Sequence, residues 1–343
     1  METVAELPEP LARYRPLVEA ELRALLGSQS LPLYRMMRYQ LGWADTPDEP
    51  EVSATADRLR STLCLLACQS LGGDALAAIP AAAAVELVHN FYLIHHDIQG
   101  GTPQRAGRPT VWWLWGPAQG INVGDGMHAL ARLCLFRLQE RGVPKLKVLR
   151  AIQALDAAAL RLCEGRFLDL SFRERVDVGE QQYWRMVEAK AGGMVGCTMQ
   201  LGALVATDDE DTVDAFRRCG ERLGIALQLV EDIRGLWGGS PEELSRPSDD
   251  VMSMAKPLPV VYALEKGTVA QKKELGSIYF KRTMDADDAA RLVVLLDEAG
   301  ARDYVQEKAE ALVREAIGAV EERGVAGAGL ADLQAVAEFI VRC

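Results

Sequence analysis

Between Glu86 and Trp115 the chain reads ELVHNFYLIHHDIQGGTPQRAGRPTVWWLW, and His89, His96, Asp97 and Arg105 within it are of types that carry protons or hold phosphate. On an α-helix His96 lies about 20° around the axis from His89, so both imidazoles are expected to face one pocket. They are there as a proton acceptor or phosphate contact, or as helix histidines satisfied by neighbours. Asp97 is rotated by about 100° from position 96. A second polar stretch, QLVEDIRG, lets Gln228, Glu231 and Asp232 point one way from a helix, with Arg234 beside them.

Helices must position these groups. Nearly every long segment repeats apolar residues at i, i+3, i+4 and i+7, and none alternates with period two for long, so the chain is all-α. Helices are expected at 9–27, at 30–42, and from near Asp57 to Leu71 with Gly72-Gly73 as the stop. Pro80 is expected to open a long helix through Ile98, apolar nearly all round and therefore central in a bundle. Others follow from Ile121 to Arg141, from Pro144 to Arg173, and at 179–206 and 209–237. Shorter ones are expected at 258–265, 269–281, 286–299, 301–323 and 329–342. Polar loops run from Thr46 to Ser53 and from Gly238 to Pro257, and with no repeat or linker the chain reads as a single domain, 1–343.

With 343 residues, 49% of them hydrophobic, the chain can bury a large core. A net charge of −11 argues against a nucleic-acid or anionic-membrane surface and leaves small molecules as partners. No apolar run reaches the roughly 18–20 residues of a membrane span, and METVAELPEP lacks the regions of a signal peptide, so a cytoplasmic protein is expected. The seven cysteines form no CxxC pair and read as small core hydrophobes.

Five further segments accompany the opening one: RLRSTLCLLACQSLGGD, CEGRFLDLSF, MVEAKAGGMVGCTMQLGALVA, LGIALQLVEDIRGLWG and SDDVMSMAKPLPVVYAL. In order, they resemble the GKRLRP helix, the GQxxDxxFE segment, the KT helix, the second aspartate-rich helix and the late basic loop of the trans-isoprenyl diphosphate synthases, or polyprenyl synthetases. The opening stretch resembles that family's DDxxD helix and RRGRPT, and the likeness covers about residues 30–270. It implies an isoprenoid-synthase-type bundle of long helices around a deep cavity, usually a homodimer. It also implies two facing acidic motifs whose Mg²⁺ ions bridge a prenyl diphosphate, since Mg²⁺ is commonly shared between carboxylates and substrate phosphates.

The departures are as informative as the likeness. DDxxD becomes His96-Asp97-Ile98-Gln99-Gly100, so the face shared by positions 96 and 100 has lost its carboxylates. The second motif becomes Glu231-Asp232-Ile233-Arg234-Gly235, leaving Asp97, Glu231 and Asp232 as the metal candidates. At the second-substrate site the family's Lys matches Asp57 while Arg60 survives, and its Arg-Arg pair becomes Arg105-Ala106. A unit charge pair at about 4 Å is worth roughly 4 kcal/mol at an effective dielectric near 20, so the Lys-to-Asp reversal disfavours elongation with isopentenyl diphosphate.

Lys190 and Lys256 match family lysines, whereas Arg166, beside Asp169, and Arg234 are new. Either these arginines help hold a diphosphate, or they pair with Asp169 and Glu231. Phe91 and Tyr92, one turn before position 96, match positions where bulky rings floor the cavity and keep the chain to C10–C15. Trp112, Trp113 and Trp115 pack a helix joint or offer π-faces to a carbocation.

The expected function is a non-elongating enzyme on a short prenyl diphosphate, terpene-synthase-like or transferring to an unusual acceptor, with His96, Asp97 and His89 as catalytic candidates. Mg²⁺ would be reduced or dispensable. The alternatives are a non-catalytic subunit beside an intact homologue, and metal-independent acid–base chemistry on a terpenoid.

Overall fold

Asp74 begins the helix around which the first half is built: its carboxylate accepts the Leu76 amide at 2.9 Å and caps α4, Ala75–Gly100. Pro80 therefore lies inside this helix and does not open it, since capping at Asp74 starts the helix a full turn earlier. By length and composition α4 could cross a membrane, contrary to the expectation from apolar runs, but 72% of its most apolar window is buried within the fold.

The computed structural model describes residues 7–27, 29–43, 56–238, 249–281 and 283–342. The expected loop from Thr46 to Ser53 and most of the one after Gly238 lie outside them, as does Cys343. The described residues are helical apart from loops and one short hairpin, confirming the all-α class.

Two compact units divide the chain. Unit one comprises Met1–Asp156, Thr198–Phe216 and Arg323–Val336. It contains α1 (Glu9–Leu26), α2 (Pro32–Gln40), α3 (Leu59–Ser70), α4, α5 (Val111–Trp115) and α6 (Pro117–Phe136). The last starts at Pro117, not Ile121, because proline suits a first helical turn, and it tightens into a 3₁₀ turn over Arg137–Arg141. Helices α3 and α6 pack along α4.

Unit two comprises Ala157–Cys197, Arg217–Glu322 and Ala337–Cys343. It holds the C-terminal part of α7 (Lys145–Arg173), α8 (Glu180–Val187) and most of α10 (Glu210–Trp237). The shorter α11 (Asp249–Met252), α12 (Leu258–Lys266), α13 (Val269–Tyr279), α14 (Ala286–Glu298) and α15 (Ala301–Glu321) follow. The helix expected over 179–206 is broken at Glu188–Gly192 by a π turn, which carries Lys190 and precedes α9 (Gly193–Ala206).

The π turn sits where glycines let backbones approach. A Cβ on Gly165 would lie 2.6 Å from the Lys190 amide nitrogen, and one on Gly224 2.4 Å from the Ala191 carbonyl oxygen. Such single-turn π-bulges are frequent at functional sites.

Candidate functional site

A cavity of about 420 Å³ opens in unit one, between the start of α3, one face of α4 and the hairpin that follows it. On α4 its wall is Glu86, His89, Asn90, Leu93 and Asp97, an i, i+3, i+4, i+7 row. The middle of that row falls between His89 and Asn90, so Asp97 turns into the cavity. The expectation that both histidines face one pocket is corrected: His89 and Asp97 line the cavity, whereas position 96 sits at the row's edge and His96 is buried.

The start of α3 is held by a buried ion network. Arg58 adopts φ 57, a left-handed conformation unusual for a side-chain-bearing residue. Its Nε donates to Glu19 Oε1 at 2.6 Å, one terminal nitrogen to Glu86 Oε2 at 3.3 Å and the other to the Leu41 carbonyl at 3.0 Å. Glu86 Oε1 accepts the Ser61 amide at 3.1 Å, and Asp57 Oδ1 accepts the Leu59 amide at 3.0 Å. Asp57 thus takes a local turn-capping role open to a carboxylate but not to the family's lysine.

Arg60 donates to His89 Nε2 at 3.3 Å. Because guanidinium can only donate, that ring nitrogen must accept. Burial, reinforced by Arg60, Arg105 and Arg58, pushes His89 well below the ordinary histidine range. It therefore faces the cavity as a neutral ring that accepts from Arg60.

After α4 the chain turns through a hairpin, β1 (Gln104–Arg105) against β2 (Arg108–Pro109), with Arg105 opposite Arg108. Ala106 and Gly107, at φ 48 and 73, form its tip, the two positive-φ positions of a tight hairpin turn. Arg105 folds back on α4, where its Nε donates to Asp97 Oδ1 at 2.9 Å. A terminal nitrogen donates to the same oxygen and to His96 Nδ1 at 3.2 Å. Arg108 lies 4.5 Å over the Tyr39 ring and donates to the Tyr39 carbonyl at 3.2 Å.

Tyr92 packs against His96 at 5.5 Å, whereas Phe91 meets His95 and His128 on the α6 side. Trp112 donates to the Thr102 carbonyl at 2.8 Å and Trp115 sets its edge on Tyr39, so both brace the joint. Trp113 is exposed.

In unit two, Asp169 Oδ2 accepts from Arg166 at 2.7 Å and from Lys190 at 3.3 Å, all three side chains being buried. Burial alone would raise the Asp169 pKa, but Lys190, Arg166 and Arg173 outweigh it and hold the group well below the usual carboxylate range. Arg166 therefore pairs with Asp169, the second of its two expected roles. Asp232 Oδ2 accepts from Tyr183 at 2.7 Å and from the Leu258 amide at 2.8 Å, and its Oδ1 accepts from Gln228 at 2.9 Å. Burial raises its pKa to about 6 against those bonds.

Glu231 is exposed and does not share that face, so the expectation that it points with Gln228 and Asp232 is corrected: positions 228 and 232 lie one turn apart, whereas 231 is rotated away. Arg234 is also exposed and donates to the Arg342 carbonyl at 2.9 Å, so it pairs with a backbone group and not with Glu231. Lys256 donates to the Met254 carbonyl at 2.9 Å and lies 4.3 Å over the Tyr279 ring. Burial, with help from Arg173, lowers its pKa to about 8.

These carboxylates do not fit a Mg²⁺ cluster. Asp97 is engaged by Arg105 with no second acid one turn away, Asp232 is surrounded by three donors, and among the described residues no three His, Cys, Asp or Glu groups could hold an ion. Glu86, Arg58, Arg108 and Tyr183 were not anticipated as parts of either cluster. Glu86 had a signal, being the one charged residue between Asp74 and Asp97 in an otherwise apolar or neutral helix.

A sequence model described as polyprenyl synthetase matches residues 43–296. A geranylgeranyl diphosphate synthase of Mycobacterium tuberculosis is 36% identical over 303 residues, 88% of this chain and 85% of that protein. A (2E,6E)-farnesyl diphosphate synthase of Mycobacterium bovis is 31% identical over 333 residues, 95% of this chain and 90% of that one. The crystal structure of a polyprenyl synthetase from Streptomyces coelicolor A3(2) superposes with a TM-score of 0.88 at 31% identity, covering 98% of this chain and 100% of that one.

Proposed function

We propose that this chain, which belongs to the polyprenyl synthetase family, acts on a short, C10–C15, prenyl diphosphate without extending it by isopentenyl diphosphate. It would close the prenyl chain on itself or pass it to another acceptor. Membership supports an enzyme of prenyl transfer. The observation that carries the finer reading is the ion pair between Arg105 and Asp97. Where the family's first motif offers carboxylates to metal, this chain offers a carboxylate already held by a guanidinium, beside His96 and Gly100. The short-chain limit is drawn from the bulky rings at positions 91 and 92, of which Tyr92 packs on His96 and Phe91 on the α6 side.

Purified protein incubated with geranyl or farnesyl diphosphate, with and without isopentenyl diphosphate and Mg²⁺, tests this by mass spectrometry. The allylic diphosphate should be consumed with no product one five-carbon unit longer. Appearance of that longer product would refute the reading.

A second reading, a regulatory subunit beside a homologue with intact acidic motifs, draws on Asp232, whose oxygens are bonded to Tyr183, Gln228 and the Leu258 amide. If it holds, the protein consumes no prenyl diphosphate alone but changes the product length of such a homologue on mixing.

A further inference from the structure

We propose that the unit-one cavity takes a singly charged second substrate, a small carboxylic acid, and that Asp57 is the residue that turns a diphosphate away. This rests on the non-elongating reading above and names the chemical class that would replace isopentenyl diphosphate.

Charge separates the two ligand classes at this wall. Four arginines, Arg58, Arg60, Arg105 and Arg108, line the cavity together with three carboxylates, Asp57, Glu86 and Asp97. His89 adds none, because it is neutral. The wall therefore carries a single net positive charge; Glu19, bonded to Arg58, is not among the lining residues. An alkyl diphosphate near neutral pH brings two to three negative charges, and an excess of one or two is disfavoured in a cleft of intermediate effective dielectric, whose wall includes the solvent-exposed Asp57 and Arg105. One carboxylate matches what the wall offers.

The arginines are also unequally engaged. Arg58 is tied to Glu19 and Glu86, Arg105 to Asp97, and Arg108 is stacked on Tyr39. Among the described residues Arg60 meets no carboxylate, only the neutral His89 ring. A planar guanidinium in that position suits a bidentate bond to a carboxylate. Leu41, Leu59 and Leu93 supply apolar wall for the remainder of a small acid, and about 420 Å³ is within the usual size of small-ligand pockets. In the transfer, a carboxylate oxygen would bond to C1 of the prenyl chain as the C1–O bond to diphosphate breaks. The product is an ester, the bonding electrons leave with inorganic diphosphate, and no oxidant or other co-reactant is needed.

Calorimetric titration of the full chain with three probes of similar tail tests the assignment: isopentenyl diphosphate, isopentenyl monophosphate and 4-methylpent-4-enoate. The carboxylate should bind at least about tenfold tighter than the diphosphate. Asp57→Asn keeps an oxygen for the Leu59 amide but removes the charge. Because repulsion scales with ligand charge, it should tighten the diphosphate on the order of tenfold and the carboxylate only about twofold. Arg60→Gln should abolish carboxylate binding. Tightest binding of the diphosphate by the unaltered protein, no binding of the carboxylate, or an equal response of all three probes to Asp57→Asn would each overturn the proposal. A diphosphate preference without elongation in the incubations above would sink the acid alone, whereas elongation would sink the reading beneath it.

Discussion

Replacing Glu86 by glutamine should destabilise the protein by about 2–3 kcal/mol. Glu86 and Arg58 are both about 3% exposed, and Glu86 accepts from Arg58 at 3.3 Å and from the Ser61 amide at 3.1 Å. Glutamine can still accept the Ser61 amide, so the loss is confined to the charge-assisted bond and to one of the two countercharges of a buried guanidinium. Glu19, at 2.6 Å, remains as the other and limits the cost. Alanine would also orphan the Ser61 amide and leave a void, for roughly 4–5 kcal/mol. Glu140, exposed and 3.7 Å from Arg137, is the control: Glu140→Gln should cost under about 0.5 kcal/mol. Urea unfolding followed by circular dichroism at the helix band reads these differences. Unfolding of Glu86→Gln and Glu140→Gln at the same midpoint would refute the role given to the Arg58–Glu86 pair.

Other outcomes follow from the same geometry. Arg105→Gln should cost about 2 kcal/mol more than Asp97→Asn in the same unfolding assay, because it leaves a buried carboxylate without its cation whereas Asp97→Asn releases a guanidinium that is already 40% exposed. Gly165→Ala should lower stability by about 1–3 kcal/mol and, by pushing on the Lys190 backbone, loosen its bond to Asp169, visible as faster amide exchange across the π turn. Lys256 has a pKa depressed from 10.5 to about 8, so the unfolded chain binds the extra proton between those values. Its penalty is fully present below pH 8 and relieved as pH rises toward 10.5, by up to about 3 kcal/mol. Melting temperatures of Lys256→Met and the unaltered protein should therefore differ more at pH 7.5 than at pH 10.

Much of the architecture was legible from periodicity, because helices report themselves in apolar spacing even where their ends do not. The misplaced starts of α4 and α6 are cases in which a cap or a proline one turn earlier outweighed the apolar pattern. Family membership was legible from motif order. The altered positions, 57, 96, 100, 106 and 166, were also visible in the sequence, because a lost or reversed charge needs no coordinates to be counted.

What those changes do was decided by tertiary structure. Whether Asp97 faces the cavity depends on where the wall row is centred, which a helical wheel seeded on the histidines misplaces by most of a right angle. Pairing Arg105 with Asp97 requires the hairpin to fold the chain back on its own helix. Arg166 with Asp169, and Arg234 with the Arg342 carbonyl, were separate outcomes for two arginines that look alike in sequence. The sequence by itself determined which charges the chain carries and which helices bear them. Only the fold decided which of them neutralise one another, because Coulomb energy depends on distance and burial, and neither is a property of spacing along the chain.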